Sequence, residues 1–114
     1  MVEEPTSPTD DPPLPEALMP KLPVLADHEI DRRLAALTEW MRQGDSITRT
    51  FAFDGFPAAT AFVQRLVEPA ESLNHHPDVD VRYNRVIITL STHDSGGLTA
   101  HDFTLAERID GLVG

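Results

Sequence analysis

The chain has 114 residues, the size of one domain with a core of its own. It has no cysteine, which excludes disulfides, thiolate metal sites and thiol catalysis and fits a reducing compartment. A formal net charge of −10 repels phosphate backbones, so direct nucleic-acid binding is not expected. No apolar run approaches the ~20 residues that span a bilayer. The first residues lack the basic and then apolar pattern of a secretory signal. The expectation is a cytoplasmic protein that does not engage membranes.

Residues 1–25 form an acidic tail that holds seven of the ten prolines. Proline removes backbone donors and fixes φ, so neither helix nor sheet suits this stretch, and it reads as disordered or extended. Leu14, Leu18, Leu22, Val24 and Leu25 are apolar enough to dock its end. The domain occupies residues 26–114. A first helix starts at Asp27, a good N-cap, with Ile30, Leu34 and Leu37 on one stripe. Gly44-Asp45 marks a turn between Trp40–Arg42 and the alternating strand Ser46–Phe53, where Ile47, Arg49, Phe51 and Phe53 share a face.

Asp54-Gly55 ends that strand, and Pro57 opens the second helix. Ala59, Phe62, Val63, Leu66, Val67, Ala70 and Leu73 recur at helical spacing as a core stripe, and Pro69 should loosen its last turn. Val79–Tyr83 alternates, Asn84-Arg85 turns, and Val86–Leu90 is apolar nearly throughout, as in a central strand. Asp94–Gly97 is a loop. The last helix has Thr99 as N-cap, Asp102 at N3 and a Leu98/Phe103 staple, with Leu105, Ile109 and Leu112 buried. The order helix, two strands, helix, two strands, helix predicts an α+β fold: one four-stranded antiparallel sheet with three helices on one face. The other face is left for solvent or a second subunit.

Four of the five histidines fall between Glu71 and Asp102. Imidazoles titrate near neutral pH, so such a cluster can trade protons there. If the strands after His76 and before His93 form a hairpin, both residues emerge at one end of the sheet. Glu71, four residues before His75, is placed to orient an imidazole or is simply solvated. Asp102 is explained as a helix cap, and His101 as an exposed first-turn residue. Two histidines and a carboxylate can also ligate iron or zinc, but adjacent histidines rarely share an ion, and the usual i, i+4 histidine pair is missing. A polar loop without a role remains the plain alternative.

The pattern Glu71-x3-His75-His76-Pro77-x5-Tyr83-x9-His93-x8-Asp102 resembles the signature of the pterin-4a-carbinolamine dehydratases, also known as dimerisation cofactors of a homeodomain transcription factor. Ile47-x-Arg49-x-Phe51-x-Phe53, Tyr83-Asn84-x-Val86, Leu90–His93 and Gly97-Leu98-Thr99 add to the likeness, which runs from Asp27 to Val113. The resemblance implies the same four-stranded, three-helix fold and homodimers or homotetramers. It implies a hydro-lyase that removes water from 4a-hydroxytetrahydropterin to give quinonoid dihydropterin in tetrahydrobiopterin recycling, with no metal or redox cofactor. His75, His76 and His93 are then the catalytic set, His76 foremost, with Glu71, Pro77, Tyr83 and Asp102 supporting catalysis and substrate binding. A non-catalytic protein-binding role, or action on another pterin such as one in molybdenum cofactor metabolism, is the alternative. Three positions depart from the family habit: Val79 where an aromatic is common, His101 where an arginine is, and Pro69 close to Glu71.

Overall fold

The computed structural model describes residues 22–113; the tail expectation for residues 1–21 lies outside the described residues. Helix α1 spans Asp27–Leu34, and strands β1 (Met41–Gln43) and β2 (Ser46–Ala52) follow. Next come α2 (Phe56–Arg65), α3 (Val67–Leu73), β3 (Asp78–Arg82), β4 (Arg85–Leu90) and α4 (Ala100–Val113). A short 3-10 turn, His93–Ser95, lies between β4 and α4. All pairings are antiparallel, in the order β1-β2-β4-β3. The α+β architecture expected from the sequence is the one observed, with α2 and α3 as two segments of the middle helix.

That division has a local cause. Pro69 has no N–H for the Arg65 carbonyl, and the chain yields at Leu66, a turn earlier than the loosening expected. There the Leu66 N–H reaches back only to Val63 O, at 3.0 Å. Pro69 then sits in the first turn of α3, where a missing donor costs nothing.

Register fixes the two sheet faces. Ile47 pairs with Leu90, Arg49 with Ile88 and Phe51 with Val86, so these six side chains share the helix side. They meet Ile30, Phe62, Leu66, Phe103 and Ile109 from the helices in one core. An arginine on that face is tolerated because its charge is met. Arg49 Nη1 lies 2.6 Å from Asp110 Oδ1, which also accepts from Trp40 Nε1 at 2.9 Å. Its guanidinium stacks 4.2 Å from the centre of the Phe51 ring.

The β3–β4 turn is Tyr83-Asn84, one residue earlier than the sequence suggests. Tyr83 takes a left-handed conformation (φ 56°), and Arg82 pairs with Arg85. Asn84 secures this tip by exchanging hydrogen bonds with the Phe53 backbone at 2.8 and 3.0 Å. At the other end of the sheet, Val24 and Leu25 lie against the loop before α4. Leu25 N donates to Leu98 O at 2.9 Å, and Ser95 Oγ donates to Leu22 O at 2.6 Å.

Candidate active site

The site begins where α3 ends. Asn74 adopts a left-handed conformation (φ 51°), and the His75 N–H bonds to Ala70 O at 3.0 Å while Asn74 N bonds to Glu71 O at 3.1 Å. This is a Schellman closure, with asparagine in the place glycine usually holds. It reverses the chain, so His75 and His76 leave the helix in different directions.

His75 turns inward against α4. Its Nε2 lies 2.6 Å from Asp102 Oδ1, and Asp102 is fully buried in the first turn of that helix. The second carboxylate oxygen, Oδ2, accepts from Thr92 Oγ1 at 2.8 Å and from Thr99 N at 2.9 Å. Thr92 and Thr99 hydroxyls are themselves 2.8 Å apart. Among the described residues, no buried side-chain nitrogen or oxygen lacks a partner. Asp102 is therefore a helix cap and the anchor of an imidazole at once.

His76 turns outward. Its Nε2 lies 2.6 Å from Glu71 Oε2, with both side chains largely in solvent. The carboxylate expected beside His75 thus serves His76, because the reversal at Asn74 breaks the i, i+4 spacing. Pro77 follows half-buried and leads into β3. His93, exposed at the start of the 3-10 turn, comes within 4.0 Å of Asp78 Oδ2. Asp78 heads β3 one residue after Pro77, so His76 and His93 do emerge at the same end of the hairpin. The loop carrying His93 is clipped shut by Thr92 N to Gly97 O at 3.1 Å.

A groove of about 400 Å³ opens beside it, lined by Asp45, Ser46, Asp78, Thr89, Ser91 and His93. Tyr83 is not part of this gathering. It stands exposed at the opposite tip of the hairpin.

Three residues gain weight over the sequence reading. Thr92 and Thr99 hold Asp102, and His101 packs edge-on to His75 with ring centres 5.8 Å apart. The capping pattern pointed to Thr99. Nothing local pointed to Thr92, which the loop clip brings in from ten residues before Asp102. Among the described residues, no group of three or more histidines or carboxylates could hold a metal ion. No helix among the described residues is long and apolar enough to cross a membrane.

Comparisons with known proteins bear on the sequence and the fold. A family model described as "Pterin 4 alpha carbinolamine dehydratase" matches residues 23–112. A relative from Roseiflexus castenholzii, named "Putative pterin-4-alpha-carbinolamine dehydratase", is 50% identical over 90 residues, 79% of this chain and 97% of the relative. The crystal structure of a transcriptional coactivator/pterin dehydratase from Brucella melitensis superposes with TM-score 0.76 at 35% identity, covering 80% of this chain and 99% of that one. A pterin dehydratase-like protein described as a RuBisCO assembly factor in the alpha-carboxysome matches at TM-score 0.54 and 25% identity, covering 66% and 87%. By sequence and by fold, the chain belongs to the pterin-4-alpha-carbinolamine dehydratase family.

Proposed function

We propose that this protein dehydrates 4a-hydroxytetrahydropterin, tetrahydrobiopterin's carbinolamine, to quinonoid dihydropterin by histidine general acid/base catalysis. The hydroxyl on carbon 4a takes a proton and leaves as water, and a ring nitrogen gives up its own proton. Imidazoles exchange protons near neutral pH, and positioned ones contribute about 10²–10⁴-fold. His75, His76 and His93 form the acid/base and substrate-contacting set, with Glu71, Pro77 and Asp102 supporting them. The observation that carries this reading is the His75–Asp102 bond of 2.6 Å: a buried carboxylate fixes one imidazole while two exposed histidines stand at the same sheet end. Of this set, His93 alone lines the adjoining groove of about 400 Å³. Tyr83 joins this set by family likeness alone.

The test is a dehydration assay on the wild type beside His75→Ala, His76→Ala and His93→Ala. Rates should fall by about 10²-fold or more in at least the first two variants. An unchanged rate in His76→Ala would remove it from the machinery. The same assay with other reduced pterins, including those of molybdenum cofactor metabolism, tests the substrate.

A homodimer or homotetramer belongs to the same proposal. β1 covers β2 only as far as Thr48, so the strand edge from Arg49 to Ala52 has no strand neighbour on that side among the described residues. Such an edge can pair with a second copy, and sedimentation would show it. A cytoplasmic location, and the division into a tail of residues 1–25 and a catalytic domain of residues 26–114, complete the proposal. A second reading rests on the two solved relatives, one described as a transcriptional coactivator and one as an assembly factor. It predicts a protein that lacks dehydratase activity and captures a helical partner.

A further inference from the structure

We infer that Thr92 is a positioning residue for this site: its hydroxyl orients Asp102, and Asp102 in turn holds His75 with the proton on Nε2 and Nδ1 bare toward substrate. The inference rests on the proposed reaction for its functional consequence, but the proton placement needs only the geometry and an ionised Asp102. An ionised aspartate only accepts hydrogen bonds. Asp102 Oδ2 already receives the Thr99 N–H at 2.9 Å and the Thr92 O–H at 2.8 Å. Oδ1 is left for His75, 2.6 Å away, so Nε2 must be the donor.

The hydroxyls are ordered by the same count. Thr92 has one hydrogen and commits it to Asp102. Its contact with Thr99 Oγ1 at 2.8 Å then has Thr99 donating. The chain runs one way, Thr99 to Thr92 to Asp102, with every donor aimed at the carboxylate. All three residues are buried, so water does not replace a missing link.

The other ring nitrogen has a different fate. Among the described residues, no hydrogen bond falls on His75 Nδ1, and no buried side-chain nitrogen is without a partner. Nδ1 is therefore in contact with solvent, as an atom that exchanges a proton with substrate must be. A neutral imidazole with Nε2–H presents a lone pair at Nδ1 and serves first as a base. Thr92 touches no substrate atom in this account. It acts through Asp102, in the way that outer hydrogen bonds set the tautomer of a histidine bound elsewhere.

Long-range proton–nitrogen NMR of the full chain at mildly alkaline pH reads the tautomer directly, because protonated and bare ring nitrogens resonate far apart. Wild-type His75 should show Nε2–H; a dominant Nδ1–H form would overturn the inference outright. Thr92→Val keeps the shape and removes the hydroxyl. Without that donor the carboxylate can turn away from Nε2, so the ring should sample both tautomers and kcat should fall roughly tenfold, the scale of one hydrogen bond, with KM little changed. Thr92→Ser should restore both the spectrum and most of the rate. If Thr92→Val does not fold, Thr99→Ala, which removes the outer donor, takes its place and should shift the spectrum in the same direction. A folded Thr92→Val with the wild-type spectrum and kcat refutes the positioning role. A wild type that dehydrates no pterin but shows the Nε2–H signal, lost in Thr92→Val, would instead sink the proposed reaction and leave the positioning role standing.

Discussion

Two histidine–carboxylate pairs lie one residue apart in this chain and share a bond length of 2.6 Å, yet they are physically unlike. In His75–Asp102 the side chains are 11% and 0% exposed; in His76–Glu71 they are 58% and 68% exposed. Water competes for every partner of the second pair and for almost none of the first. Distance therefore says little about what each pair is worth. Burial makes Asp102 costly to leave without donors, whereas Glu71 can always turn to solvent. The chemistry divides along the same line. On the proposed reaction, His75 is the imidazole held in one orientation and His76 the one free to follow a substrate. The sequence ranked His76 first; the structure gives a physical reason to test His75 on equal terms.

The largest expected effect breaks this contrast at its carboxylates. Asp102→Ala strands the Thr92 hydroxyl, the Thr99 N–H and the His75 ring, and should cost about 2–4 kcal/mol in urea unfolding. Glu71→Ala should stay within about 0.5 kcal/mol, and salt should shrink even that. Equal losses in the two variants would show that burial does not separate the pairs.

The same contrast marks how far the sequence could be read. Strand alternation and the start of α4 were legible because they depend on neighbours a few residues away. Thr99 N does bond to Asp102 Oδ2, the acidic half of the expected capping box. The Thr99 hydroxyl does not complete that box. It meets Thr92 across the loop, while Asp102 N bonds to Thr99 O at 3.1 Å. No local pattern encodes that exchange, since it follows from the Thr92–Gly97 clip. The partners of Glu71 were illegible for a related reason. Helical spacing pointed to His75, and the left-handed Asn74 redirected the chain. Asparagine just past an apolar stripe was the available signal. The early Tyr83-Asn84 turn likewise depends on a tyrosine accepting a positive φ, which residue type alone argues against.

His93 lies between the two extremes, exposed itself but carried on a clipped loop, and Gly97 decides how firmly. A Cβ at Gly97 would come within 3.0 Å of Val24 Cγ1, where the segment before α1 crosses the loop. Val24 is about half exposed and can give way, so Gly97→Ala should cost only about 1 kcal/mol. The loss should be recovered in Gly97→Ala/Val24→Ala, measured as a double-mutant cycle. If His93 belongs with the ordered part of the site, Gly97→Ala should also lower dehydration, while the NMR signal of His75 stays as in the wild type. If the rate is unaffected, His93 behaves like the solvent-exposed pair.

A third carboxylate sharpens the comparison from the side of charge, with the smallest effect. Glu29 is held by Arg32 and Arg33, whose hydrogen bonds, Arg32 first, lower its pKa from 4.5 to about 2. Both guanidiniums reach it within α1, one turn along, where acid near the helix start is also favoured. A lowered pKa contributes stability that is complete above the unfolded value and disappears as pH falls through the folded one. Glu29→Gln should therefore lower Tm slightly at neutral pH, and the gap should narrow below pH about 4.5 and close near pH 2. Unlike the loss in Asp102→Ala, this gap should also fade in high salt, because solvent reaches every charge involved. A gap that persists at pH 2 would mean that Glu29 supports α1 through packing or helix propensity rather than through its charge.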